Sequence, residues 1–161
     1  MIGPALLFLI LPSQLLGDHG NHFGPYHWFS YGIDLNRDGL LTARELCSAI
    51  TEELRNLRTQ PVKDDTCKDF EEKFDKDGNN KIDPQELNSL YLKFHHLLTM
   101  FIRGDFDGYG LMKFGYFVEV ALPRLGLSLN QMNQMILDTI KTGHGFSNLS
   151  LDKFMQLVLN T

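Results

Sequence analysis

Apolar residues recur at helical spacing in short blocks, separated by polar stretches rich in Asp, Asn and Gly. Leu46, Ala49, Ile50 and Leu54 form one block, and Cys67, Phe70 and Phe74 another. A longer block runs through Leu87, Leu90, Tyr91, Phe94, Leu97, Leu98 and Phe101, and predicts one helix between Glu86 and Gly104 that is buried on one side. The expected architecture is all-α, built from helix-loop-helix units.

The polar stretches carry the chemistry. Asp34-Leu35-Asn36-Arg37-Asp38-Gly39-Leu40-Leu41-Thr42-Ala43-Arg44-Glu45 satisfies D-x-[DN]-x-[DN]-G-x5-E at every defined position. A calcium ion takes six to eight hard oxygen ligands, so the loop must converge Asp34, Asn36 and Asp38 from alternate positions. Leu40 would give its backbone carbonyl, Thr42 would act directly or through water, and Glu45 would close the shell with two oxygens. Asp75-Lys76-Asp77-Gly78-Asn79-Asn80-Lys81-Ile82-Asp83-Pro84-Gln85-Glu86 is a second copy. Asp75, Asp77, Asn79, Asp83 and Glu86 are its side-chain ligands and Lys81 contributes a carbonyl. Asn80 stands where Gly is usual; Asn is the next most tolerant residue of a left-handed backbone, so the expected cost is about 1 kcal/mol or less. Pro84 falls where the exiting helix begins, and its missing N–H is harmless there.

On these residues the chain resembles the EF-hand superfamily. The resemblance implies four helix-loop-helix units in two pairs, with Leu41 and Ile82 making a short two-stranded contact between the first two loops. Two degenerate copies complete the set. Residues 105–116 keep Asp105, Asp107 and Gly110 but place Tyr109, Lys113 and Tyr116 at ligand positions, which removes the bidentate carboxylate and adds a cation. Residues 142–153 retain Leu149 but almost no ligands. Both read as scaffolding. The loops start at residues 34, 75, 105 and 142. The short gap between the second and third leaves room for a single shared helix, a spacing similar to the penta-EF group, although a fifth hand is lacking. The segments Asp83-Pro84-Gln85-Glu86-Leu87 and Leu127-Ser128-Leu129-Asn130-Gln131 are similar in style to that group, which is typically cytosolic.

Residues Met1–Gly17 carry no charge, and Ala5 to Leu11 is wholly apolar. This is too short to span a bilayer and fits a cleaved secretory leader, followed by a first pair over 18–103 and a second over 104–161. The expected compartment is therefore extracellular or the secretory lumen, with the cytoplasm as the alternative. His19, His22 and His27 read as solvated loop residues, and Asn148-Leu149-Ser150 is a glycosylation sequon of low expected occupancy.

With 15 basic and 20 acidic residues, the chain carries −5 and has no basic run, which argues against nucleic acid or an anionic membrane as partner. The charge is uneven: up to Glu86 there are 15 acidic and 9 basic residues, a net of −6. Seven of those carboxylates belong to the two ligand shells, so two calcium ions would bring that half to −2. No catalytic arrangement stands out, and the chain is not expected to be an enzyme. Met100, Met112, Met132, Met135 and Met155 all lie late in the chain. They read first as core, and alternatively as an apolar surface that a calcium sensor shows to a protein partner through its C-terminal half. Cys47 lies two residues after the first loop and Cys67 eight before the second. With the loops side by side this separates them by roughly 9 Å along the helix axes, so free or intermolecular thiols are expected.

Overall fold

The computed structural model describes Trp28, residues 33–141 and residues 148–161. The expected leader, His19, His22, His27 and the first half of the fourth loop lie outside the described residues.

Each exiting helix starts inside its loop. Helix α1 (Ala43–Leu54) is N-capped by Thr42, whose Oγ1 accepts the Glu45 N–H while the Glu45 carboxylate accepts the Thr42 N–H at 3.0 Å. Thus the same two residues end the loop and begin the helix. Helix α2 (Asp64–Phe74) leads into the second loop, and α3 (Pro84–Gly104) leaves it as the single long helix expected. At its start Asp83 accepts the N–H groups of Gln85 and Glu86 at 2.7 and 2.9 Å, and Glu86 accepts the Asp83 N–H at 3.1 Å. Leu87, Leu90, Phe94, Leu97, Leu98 and Phe101 are buried along α3, as their spacing predicts.

The second half runs β1 (Leu111–Met112), α4 (Phe114–Tyr116), a π-helical turn over Phe117–Ala121, α5 (Leu122–Arg124), α6 (Leu129–Thr139), β2 (Leu149–Ser150) and α7 (Leu151–Leu159). Ser128 and Gln131 form a capping box at the start of α6. Leu41 and Ile82 exchange backbone hydrogen bonds of 2.9 and 2.7 Å, the expected contact between the first two loops. Strands β1 and β2 repeat that contact in the degenerate pair, antiparallel, with Met112 opposite Leu149. Loss of the ligands has therefore left the pairing of the loops intact.

One core joins the halves. Trp28 meets Tyr91 and Phe94 edge-on at centroid distances of 5.3 and 5.7 Å, Phe94 meets Phe70 at 6.2 Å, and Phe117 meets Phe154 at 6.1 Å. Helix α7 packs on both α2 and α3. Met100, Met112, Met135 and Met155 are buried in this core and Met132 is partly so; in this conformation they fill space instead of lining a groove. Two polar links tie α7 to α2. Asp152 Oδ1 accepts the Lys63 N–H at 2.9 Å and the Thr66 hydroxyl at 2.7 Å, and Lys73 Nζ donates to the Leu159 carbonyl at 2.7 Å.

The expectation for the cysteines is corrected. Cys47 and Cys67 form a disulfide with a Cα–Cα distance of 5.4 Å. The Ala43 N–H also hydrogen-bonds the Glu71 carboxylate. Contacts 43 with 71 and 47 with 67 are the register of antiparallel helices, each cysteine one turn from the cross-contact. Counting from the loop ends misplaces them because α1 begins at Ala43, before its loop is complete, so that Ala43 already lies level with Glu71 on α2.

Candidate metal centre

Backbone geometry in the two acidic loops is set by left-handed residues. Gly39 has φ 75° and Asn80 φ 58°, so Asn80 adopts the conformation that glycine holds in the first loop. That turn aims consecutive N–H groups at the first carboxylate. Asp34 Oδ2 accepts Gly39 N–H at 3.0 Å; Asp75 Oδ1 accepts Gly78 N–H at 2.8 Å and its Oδ2 accepts Asn80 N–H at 2.7 Å.

The closing glutamates reach back across their loops. Glu45 Oε1 accepts the Leu35 N–H at 2.9 Å, and its Oε2 accepts the Thr42 N–H and hydroxyl at 3.0 and 2.8 Å. Glu86 Oε1 likewise accepts the Lys76 N–H at 2.6 Å. Burial pushes the Glu45 carboxyl up, but the hydrogen bonds from Thr42 and Leu35 outweigh it and hold the group below the usual range. Asp75 behaves in the same way: desolvation raises it, and the Asn80 and Gly78 N–H groups bring it lower. These carboxylates are thus held ionised, the state a hard cation requires.

Two observations test whether the residues fit such a cation. Asp34 Oδ1 is buried and accepts no hydrogen bond, although its sister oxygen does. Buried carboxylate oxygens are normally satisfied, and a bound cation would satisfy this one. In the second loop, oxygens of Asp75, Asp77 and Glu86 lie within 4.8 Å of one another. Asn79 stands beside them, its Nδ2 donating to Asp77 Oδ2 at 2.9 Å, and Asp83 caps α3. The residues fit calcium by donor type and number.

The first loop is less drawn together. Asn36 bonds Asp38 through its side-chain amide at 3.0 Å, Leu40 donates its N–H to Asp38 Oδ1 at 2.9 Å, and Thr42 is engaged with Glu45. Asp38 Oδ2 is turned outward to the Lys81 ammonium at 2.6 Å. That hydrogen bond, joined by the one from Leu40, holds Asp38 below the usual carboxylate range. The sequence gives Lys81 a role only through its carbonyl; its side chain crosses to the other loop, a contact no within-loop pattern reveals. In the third loop Lys113 pairs with Asp107, and Tyr116 packs edge-on against Phe106 at 5.4 Å, so a cation and a ring occupy the ligand positions.

Two loops joined back to back, each leading into a capped helix and each lined by carboxylate oxygens, define an EF-hand-type cation-binding protein. The EF hand family model matches residues 72–91, which contain the whole second loop. The chain is 28% identical over 115 residues to the calpain-1 catalytic subunit of Oryctolagus cuniculus, covering 70% of this chain and 37% of that protein. Against the Homo sapiens calpain-1 catalytic subunit it is 27% identical over 109 residues, 68% of this chain and 15% of that protein. Peflin of Danio rerio is 27% identical over 133 residues, 82% of this chain and 47% of that protein. The chain thus spans well under half the length of the calpain relatives it matches. A solved structure of a homolog of programmed cell death 6 protein from Leishmania major Friedlin superposes with TM-score 0.59 at 19% identity, covering 84% of this chain and 76% of that one. That likeness concerns the fold. The family match and the relatives together support the EF-hand superfamily, of the penta-EF-like kind.

Proposed function

We propose that the protein is a calcium-responsive, non-catalytic regulatory adaptor that holds two calcium ions. Asp34, Asn36, Asp38, Thr42, Glu45 and the Leu40 carbonyl hold one; Asp75, Asp77, Asn79, Asp83, Glu86 and the Lys81 carbonyl hold the other. The observation that carries this reading is the pairing of the orphaned Asp34 Oδ1 in one loop with the convergence of Asp75, Asp77 and Glu86 in the other. Helix α3 starts at the second site and runs beneath the degenerate pair, so it supplies the route by which loading reaches the C-terminal half and a protein partner there. Exposed Leu129 and Leu137 on α6 are apolar surface available to such a partner.

Calorimetric calcium titration of the full chain, with Glu45→Gln and Glu86→Gln as controls, tests the sites. Two sites lost one at a time support the assignment; no binding, or four sites, refutes it. Trp28 reports the switch, since it packs against Tyr91 and Phe94 on α3. Unchanged Trp28 fluorescence and unchanged ANS binding on adding calcium would leave a constitutively loaded module and refute the sensor.

For the compartment, the penta-EF resemblance supports the cytoplasm, and the Cys47–Cys67 bridge supports an oxidising lumen. Alkylation of the protein from its native cell, without prior reduction, separates the two. Among the described residues no helix is long and apolar enough to cross a membrane.

A further inference from the structure

We infer that Lys81 sets the calcium affinity of the first loop: its ammonium is a tethered cation, anchored in the second loop, that competes with calcium for Asp38. The inference rests on the calcium reading above. Lys81 Nζ lies 2.6 Å from Asp38 Oδ2, and both side chains are about one-third exposed, so the pair lies at the solvent edge of the first loop. Asp38 is one of only three carboxylates in that shell. Its pairing accounts for the looser arrangement of Asp34, Asp38 and Glu45 beside the tight set of Asp75, Asp77 and Glu86; Lys76 lines the cavity of that second set without an ion pair to it among the described residues.

The third loop shows the same substitution carried further. There Lys113, within the loop itself, holds Asp107, and no acidic residue remains at the closing position. In the first loop the lysine comes from the neighbouring loop and all ligands remain, so the cation weakens calcium binding without replacing it. The backbone at Lys81 is fixed by the adjoining Leu41–Ile82 bridge, which keeps the ammonium within reach of Asp38. The second loop, with four carboxylates and none of them ion-paired to a lysine among the described residues, therefore fills at lower calcium than the first.

The test is calcium titration of the full chain carrying Glu86→Gln, which leaves the first loop as the remaining site, with Lys81, Lys81→Met or Lys81→Arg. Lys81→Met keeps the backbone carbonyl and the apolar stem. It is expected to tighten the first site about tenfold, the effect of removing a unit charge from beside a divalent ion near the surface. Its affinity should also fall more steeply with added KCl than in the parent, because the shell loses its built-in neutralising charge. Lys81→Arg should match the parent. Binding that is measurable but unchanged or weaker in Lys81→Met, or an unchanged salt slope, overturns the inference. No binding at the first loop in any of the three variants overturns the calcium reading itself, whereas binding that appears only in Lys81→Met supports both.

Discussion

Asp152 lies in a loop that has lost its metal ligands, yet Asp152→Ala is expected to be among the costlier single changes in the molecule. Helix α2 has Lys63 at its N-cap, a residue with no side-chain acceptor, and obtains its cap from Asp152 across the core. Removing the carboxylate forfeits a cap, worth about 0.5–2 kcal/mol. It also strands the Thr66 hydroxyl, which is fully buried and whose bond to Asp152 is 2.7 Å; an orphaned buried donor costs about 1–3 kcal/mol. Lys63 Nζ, at 4.0 Å and largely exposed, adds little. The sum is about 3 kcal/mol, or a fall in Tm of about 6–12 °C for a domain of this size. Asp152→Asn keeps an acceptor and should lose only about 1 kcal/mol, chiefly the favourable charge at the helix N-terminus. Urea denaturation with calcium chelated measures these values, and Thr66→Val completes a double-mutant cycle. Because Thr66→Val removes the stranded hydroxyl, the double variant should be less damaged than the sum of the singles by about 1–2 kcal/mol. A loss below about 0.5 kcal/mol in Asp152→Ala, or strict additivity with Thr66→Val, would refute the argument.

Three other changes have defined outcomes. Reducing the Cys47–Cys67 bridge, which closes a loop of sequence separation 20, should lower stability by about 3 kcal/mol on the chain-entropy account, read by thermal melts with and without reductant. Gly110→Ala should cost more than 2 kcal/mol, because the backbone is left-handed (φ 77°) and a Cβ would sit 2.0 Å from the Arg58 carbonyl oxygen; Gly39→Ala, with the same handedness but open space, should cost about half as much. Glu71 is buried, and desolvation lifts its carboxyl above the ordinary 4.5 despite the Ala43 N–H. The folded state therefore holds this proton to a higher pH than the unfolded state, and its contribution to stability falls as pH rises through that window. Glu71→Gln should thus be more stable than the parent at pH 7 in chelator, with the gap closing as pH drops below about 4.5; a gap that widens on acidification would contradict the sign.

The two acidic loops were legible because every position of the repeat is tied to a backbone or donor requirement. Thr42 and Glu45, or Asp83 and Glu86, announce the helix start as well as the proposed ligand shell. The long helix α3 followed from spacing alone. What stayed hidden depends on how elements meet. The disulfide was missed because its geometry turns on helix starts inside the loops, a matter of one turn. Asp152 was invisible because a loop without ligands gives no reason to single out its eleventh residue. Lys81 was read through its carbonyl, since the repeat pattern has no place for a side chain that serves the neighbouring loop. Asn80 shows the opposite case, in which a departure from the pattern was explained in advance by the tolerance of Asn for a positive φ.

The docking of α7 also bears on how the chain matures during synthesis. Residues Leu151–Leu159 leave the ribosome well after the second hand, yet they cap α2 through Asp152 and receive Lys73 at the Leu159 carbonyl, contacts that reach back 86 to 89 residues. Translation at about 5–20 residues per second leaves the second hand waiting several seconds for these partners. Until α7 emerges, the hand's entering helix lacks that cap and the surfaces of α2 and α3 on which α7 packs are open, and that interval is when a nascent chain most needs a chaperone.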